Sequence, residues 1–320
     1  MKDRILSVVI PAFNAESFLD RAVESAISLQ IPGMEIIIAE DGSKDDTLHK
    51  ANRWVHRNPG QIVVVQHRHG RNMGAGATRN LAIRCAKGRY IGFLDADDYY
   101  IKEQWLNAFD FLKNHPNTDG VFGSVETRHI GTPELDFVWP TSDIFGQSNL
   151  IKAMLIEKPC LWHANAFICR KSIFEKIGLF REDISIGEDR DFWLKVLLAS
   201  NVSSILDDRP VAIVTRGHDF HTWTPNLTND LIRDLLSNID IQEWLKLHTE
   251  IANPQSEDII ESAVFQSAVL AVKALRQSRE WIRLVQFLYI LLKRKPILLF
   301  NRSVAGNALY GLLLKPQKYT

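Results

Sequence analysis

Residues 90–98 read YIGFLDADD, a short apolar run that breaks off into three carboxylates within four positions. An unbroken apolar run of this length suits a strand buried on both faces of a parallel sheet. Three similar runs precede it, at 5–10 (ILSVVI), 35–39 (EIIIA) and 62–65 (IVVV). Helical patterns fill the gaps at about 16–30, 46–57 and 75–87. Ser43 and Asp46 are spaced as a capping signal for the second helix. Gly88 stands where a helix C′ residue would end the third. Strand–helix alternation of this kind predicts βαβ units with right-handed crossovers and a Rossmann-like, mostly parallel central sheet flanked by helices.

Further along, 117–185 holds short β-like pieces at Gly120–Val125 and Ala166–Cys169. Residues 188–200 read as a helix opening on Glu188-Asp189, and 211–215 (VAIVT) as a strand. From about 226 the pattern is helical, with breaks at Asn253-Pro254 and Lys295-Pro296. The expected organisation is an α/β domain over 1–222 and an all-helical extension over 223–320.

Composition narrows the function class. Of 320 residues, 46% are hydrophobic and 24% charged, values of a globular chain. Lys+Arg and Asp+Glu both number 38, so the basic excess of a nucleic-acid binder is missing. Three cysteines without metal-type spacing argue for a reduced, cytoplasmic setting. No run approaches the roughly 18 apolar residues that span a bilayer. The start lacks a signal-peptide cleavage pattern. Trp281, Leu284, Val285, Leu288, Leu291 and Leu292 lie near helical spacing before Lys293-Arg294-Lys295. That segment reads either as a helix packed on protein or as a peripheral contact with the inner face of a membrane.

Each early strand ends in polar residues: Pro11-Ala12-Phe13-Asn14, Glu40-Asp41-Gly42-Ser43 and Asp95-Ala96-Asp97-Asp98. Ligands of open α/β sheets bind at the carboxyl ends of the strands, so three segments bring polar groups to one edge. Crowded carboxylates need a cation among them, and a hard divalent ion such as Mn²⁺ or Mg²⁺ takes oxygen ligands beside a phosphate. The plainer reading is an acidic turn before the next helix. Asp41 suits a nucleobase N–H or ribose hydroxyls, or simply an Asp-Gly turn. The segment 72–80 (NMGAGATRN) enters a helix with Arg79 and neighbouring Arg71 available to phosphate, and without a P-loop lysine. Glu188-Asp189 is either a first turn favoured by the helix dipole or the site of a general base. His218, in Arg216-Gly217-His218, is a candidate metal ligand, while Trp162 and His163 suit an acceptor side.

Taken in order, these segments resemble glycosyltransferase family 2, inverting enzymes of the nucleotide-sugar-binding GT-A fold. SVVIPAFN (7–14), EDGS (40–43), Asn72–Asn80, FLDADD (93–98), RKSIFEKIGLF (170–180) with GED (187–189), and RGH (216–218) match its motifs over roughly 1–222. Phe13 stands where Tyr is common, Glu40 where Asp is, and Thr78 where Ala is. The resemblance implies that Pro11, Ala12, Phe13, Asn14, Asp41, Arg79, Asp95 and Ala96 bind the nucleotide sugar. Asp97 would hold the metal with His218 in its shell, and Asp189 would be the catalytic base. Asp98, Glu188, Trp162 and His163 would support the site or face the acceptor. The implied partners are a nucleotide-sugar donor, with UDP as the expected nucleotide, and a glycan or lipid-linked acceptor in polysaccharide or cell-wall assembly. A nucleotidyltransferase would carry a Gly-rich basic signature after the first strand, where PAFN stands instead. A non-catalytic nucleotide-sugar binder is the remaining alternative.

Overall fold

The computed structural model describes residues 4–129, 135–139, 163–183, 188–205, 209–216, 227–248, 254–277, 281–296, 298 and 304. They divide into two compact units, one within 1–150 and 160–222, the other chiefly from Trp223 onward.

The first unit opens with four strands, β1 (Leu6–Ala12), β2 (Met34–Glu40), β3 (Ile62–Gln66) and β4 (Tyr90–Phe93). Three helices connect them, α1 (Leu19–Ser28), α2 (Thr47–Arg57) and α3 (Ala75–Cys85). All seven residues of β2 are buried, as an unalternated apolar run requires when helices cover both faces. α1 buries Leu19, Ala22, Val23 and Ala26, the i, i+3, i+4, i+7 stripe of an amphipathic helix.

β5 (Tyr99–Tyr100), α4 (Lys102–Asn114), β6 (Gly120–Phe122), β7 (Val125–His129) and β8 (Leu135–Trp139) follow. Then come β9 (Phe167–Arg170), α5 (Ile173–Ile177), α6 (Glu188–Ala199), β10 (Val202–Ser204) and β11 (Ala212–Arg216). The main sheet has seven strands in the order β10-β6-β9-β4-β1-β2-β3. β9 is its one antiparallel member among the described strands, paired between β4 and β6. A second sheet, β5-β11-β7-β8, was not foreseen from the sequence. Its β11 answers to the strand expected at 211–215, whereas β5, β7 and β8, two to five residues long, are too short for a periodic signal to stand out.

Two local expectations are corrected. Ser43 does not cap α2. Its hydroxyl accepts the Asn14 N–H at 3.0 Å, and Asp45 instead accepts the Thr47 N–H. Gly88 is not a helix C′ residue either, since α3 stops at Cys85. Gly88 is needed because a Cβ there would sit 2.5 Å from the backbone nitrogen of Ser7 on β1.

The second unit is helical, with α7 (Leu227–Leu247), α8 (Pro254–Gln277) and α9 (Trp281–Arg294). Pro254 opens α8, a position where its missing N–H costs nothing. A buried Asn238–Ser267 hydrogen bond of 3.1 Å ties α7 to α8, and Arg294 of α9 reaches Asp240 and Glu243 of α7. On α9, Leu284, Phe287 and Leu291 are buried, while Val285, Tyr289 and Leu292 are exposed. Among the described residues, no helix is long and apolar enough to cross a membrane.

Candidate active site

Strand register sets the site. Pro11 and Ala12 pair with Ala39 and Glu40, and Val9 pairs with Phe93, so the carboxyl ends of β1, β2 and β4 adjoin. The chain leaves β1 through Phe13, which is exposed, and Asn14, held at φ 48°. Asn14 bridges two strand ends: its Oδ1 accepts the Lys44 N–H at 2.9 Å while its own N–H reaches Ser43. Glu40 is buried and accepts hydrogen bonds from the Ser43 N–H and the Gln66 amide.

Asp41 is also buried. Its two carboxylate oxygens accept the N–H groups of Met73 and Gly74 at 2.7 and 3.0 Å. A carboxylate offers about four acceptor positions, so capacity for a ligand remains. Asp41 thereby fixes the loop leading into α3. Gly42, at φ 74°, lets the two segments touch, because a Cβ there would lie 2.5 Å from the Gly70 carbonyl oxygen.

The acidic segment after β4 is held from three sides. Asn165, fully buried in the 3-10 turn Ala164–Ala166, accepts the Asp95 N–H at 2.8 Å and donates to Asp98 at 2.5 Å. The Thr215 N–H of β11 donates to the other Asp98 oxygen at 2.7 Å. Arg21 of α1 donates to the Asp97 carbonyl and to the Thr215 hydroxyl. Burial, then the nearby Asp97 and Asp95, push the Asp98 carboxyl well above the usual carboxylate range. Asp98 thus acts as the internal pin of the segment. Ala96 is buried beside it.

His163 reaches the same cluster, with its Nε2 3.9 Å from an Asp95 oxygen. Burial lowers its pKa, and Asp95 opposes that shift, so the imidazole is held towards its neutral form. Ligand atoms of Asp95, Asp98 and His163 all lie within 4.8 Å of one another. The two carboxylates are donors that suit Mn²⁺ or Mg²⁺, and the neutral imidazole adds a nitrogen donor beside them. Asp97, expected as the ligand, lies outside that trio but close enough for its charge to act on both His163 and Asp98. His218 and Trp162 fall outside the described residues.

Arg79 joins this cluster to the segment expected on the acceptor side. Its guanidinium lies 2.8 Å from Asp95 and 3.5 Å from Glu188. Burial works against its charge, yet Asp95, Glu188 and Asp189 outweigh it and raise the pKa further. Glu188, at the start of α6, is buried, and that burial raises its pKa against the pull of Arg79. Asp189 is partly exposed and accepts the Arg190 N–H at 2.7 Å. Carboxylates more than 90 positions apart are thus gathered around one cation.

Two further residues of α3 make that approach possible. Gly76 faces Glu188, and a Cβ there would sit 2.9 Å from the Arg181 carbonyl oxygen and 3.0 Å from the Glu188 side chain. Asn80, fully buried, donates to the Phe180 carbonyl and Glu182 and accepts the Phe180 N–H at 3.0 Å. Sequence reasoning gave no role to Asn80, Asn165, Thr215 or Arg21. Only Asn80 carried a signal, its place in the Arg79-Asn80 pair.

The profile of glycosyl transferase family 2 matches residues 7–178, more than half the chain. A β-1,3-glucosyltransferase of Escherichia coli, WfaP, named for UDP-Glc and GlcNAc-diphosphoundecaprenol, is 32% identical over 60% of this chain and 70% of its own. Staphylococcus aureus TarS (residues 1–349), solved with UDP-GlcNAc, superposes with a TM-score of 0.58 at 19% identity, covering 84% of this chain and 81% of that one. Mannosyltransferase PcManGT of Pyrobaculum calidifontis, solved with GDP-Man and Mn²⁺, gives 0.56 at 15% identity, over 96% and 86%. The curated relatives are matched over 26% to 75% of their own lengths. The architecture is that of the GT-A fold. A profile match that runs from β1 through α5, on that architecture, establishes that the chain belongs to glycosyl transferase family 2.

Proposed function

We propose that this chain is a metal-dependent, inverting glycosyltransferase that moves a sugar from a nucleotide donor, UDP-linked by preference, to a hydroxyl of a lipid-linked glycan or polysaccharide acceptor. The observation that carries the reading is Arg79, within hydrogen-bond reach of Asp95 and facing Glu188, with Asp189 beside them. Inverting transfer needs a base on one side of the anomeric carbon and charge stabilisation on the other, and this cluster has both kinds of group. The WfaP likeness favours the lipid-linked acceptor and UDP.

In this reading the domain within 1–222 is catalytic. Phe13 stacks on the base, with Pro11, Ala12 and Asn14 shaping its pocket and Asp41 accepting from it. Asp95 and Ala96 border the ribose and diphosphate. Asp97, Asp95 and His163 would hold the cation, with His218 completing the set and Asp98 pinning the segment. A bound Mn²⁺ or Mg²⁺ would neutralise charge on the leaving diphosphate. Asp189 takes the acceptor hydroxyl proton as the sugar passes through an oxocarbenium-like state. Arg79 holds Asp95 and Glu188 in place, and Trp162 borders the acceptor side.

Asp189→Asn should lower transfer by about 10²–10⁴-fold while UDP binding persists. Product assay with a panel of UDP-sugars and Mn²⁺, beside UDP calorimetry, reads both quantities, and ordinary turnover by the variant would overturn the base assignment. The helical extension over 223–320 is proposed to touch an anionic membrane through exposed Val285, Tyr289 and Leu292 with Lys293 beside them. Leu292→Glu should reduce co-sedimentation with phosphatidylglycerol vesicles, and equal partitioning would remove that contact.

A further inference from the structure

The main sheet has a second functional-looking edge, opposite the carboxylate cluster. Tyr90 at the start of β4 pairs with Arg170 at the end of antiparallel β9, so the residues just outside both strands emerge together. Two basic stretches meet there, Arg84-Cys85-Ala86-Lys87-Gly88-Arg89 and Arg170-Lys171. The Lys171 N–H donates to the Arg89 carbonyl at 2.8 Å and locks them side by side. By strand rise, this edge is roughly 15 Å along β4 from Asp95.

An open pocket of about 720 Å³ lies between these stretches. Its walls carry the cations Arg84, Lys87, Arg89, Arg170 and Lys171 against one acid, Glu175. Its lining also includes the apolar side chains of Ile83, Phe174 and Leu179. The five cations differ in what they do. Arg170 is a strut, since its guanidinium donates to the carbonyls of Thr118, Leu112 and His115 and to the Tyr90 hydroxyl. Lys171 is likewise tied to the Ala86 carbonyl, and Arg84 to Glu182. Lys87 and Arg89 are exposed, and neither side chain forms a hydrogen bond or ion pair among the described residues. Two cations held in place, Arg170 and Lys171, thus line the same pocket as two unengaged ones and a set of apolar side chains. Like charges crowded this way repel one another unless an anion joins them.

We propose that this pocket binds a phosphoryl anion, with Lys87 and Arg89 as its direct contacts and Ile83, Phe174 and Leu179 taking an apolar portion of the ligand. The class includes a lipid headgroup phosphate and a soluble phosphate ester. Either would sit away from the transfer cleft, so its role is docking or control rather than chemistry. The proposal does not depend on the reading of the carboxylate cluster.

The test compares the full chain with Lys87→Ala/Arg89→Ala, two exposed positions outside the cleft. One arm titrates glycerol 3-phosphate without divalent metal, followed by calorimetry. The other sediments the protein with phosphatidylcholine vesicles with and without phosphatidylglycerol. Loss of roughly tenfold in affinity per cation removed, in either arm, supports the site and identifies the source as soluble ester or headgroup. UDP binding with Mn²⁺ should be unchanged, which separates this pocket from the cleft. Equal binding by both proteins in both arms, or no binding by the unsubstituted chain in either, overturns it.

Discussion

The strand ends proposed to face the donor and the turn at Glu188-Asp189 proposed to face the acceptor are built in different ways. After β1, β2 and β4 the loops brace one another over short chain separations: Asn14 meets Ser43 29 positions away, and Asp41 meets Met73 at 32. Each βαβ unit returns the chain to the same edge, so local order is enough to assemble that half. The acceptor-side turn is held instead by contacts that cross about a hundred positions, chiefly Asn80 to Phe180 and Arg79 to Glu188. α3 belongs to the donor half by sequence and to the acceptor half by contact. The difference teaches that damage to α3 should separate transfer from donor binding, although α3 carries neither the proposed base, Asp189, nor the proposed nucleobase contact, Asp41.

Among changes away from the proposed base, the largest effect is expected from breaking that clamp. Asn80→Ala leaves the Phe180 backbone groups without their partner, at a cost of about 1–3 kcal/mol for each buried group stranded. Gly76→Ala pushes a methyl into the Arg181 backbone and Glu188. Both variants should lose most of kcat while UDP affinity stays near normal, and Asn80→Ser, which keeps a donor, should recover part of it. An unchanged kcat in a folded Asn80→Ala protein would break the comparison. A smaller, complementary effect is expected from Asp97→Ala. It should erase the Mn²⁺-dependent gain in UDP affinity, roughly tenfold, and leave metal-free binding alone. Calorimetry with and without Mn²⁺ checks this, and an undiminished metal effect would remove Asp97 from the cation site.

Much of this was legible from residue order. The four early strands, the helices between them and the helix at Glu188 lie within a few residues of their expected spans. Long apolar runs and 3.6-residue stripes leave little choice of structure. The second sheet was not legible, because its short strands draw their stability from β5, β7, β8 and β11 pairing across distant segments. Capping was misjudged at Ser43 for a related reason: a hydroxyl free to cap locally was taken by Asn14 from another loop. At the site, carboxylates could be picked out by type and by position at strand ends. Their division of labour could not. Asp98 was expected only to support the site, and its burial between Asn165 and Thr215 gives the form of that support, a pin of the acidic segment.

Residue order alone determined the α/β alternation, the carboxyl-edge location of the acids and the match to a sugar-transfer family, because each rests on periodicity or on groups close along the chain. Tertiary structure alone decided which acids are exposed to a ligand and which are consumed internally. It also decided that Arg79 gathers Asp95, Glu188 and Asp189, and that five cations ring a pocket at the far edge of the sheet. Those properties depend on burial and on through-space distance, and neither is written in the spacing of residues along a chain.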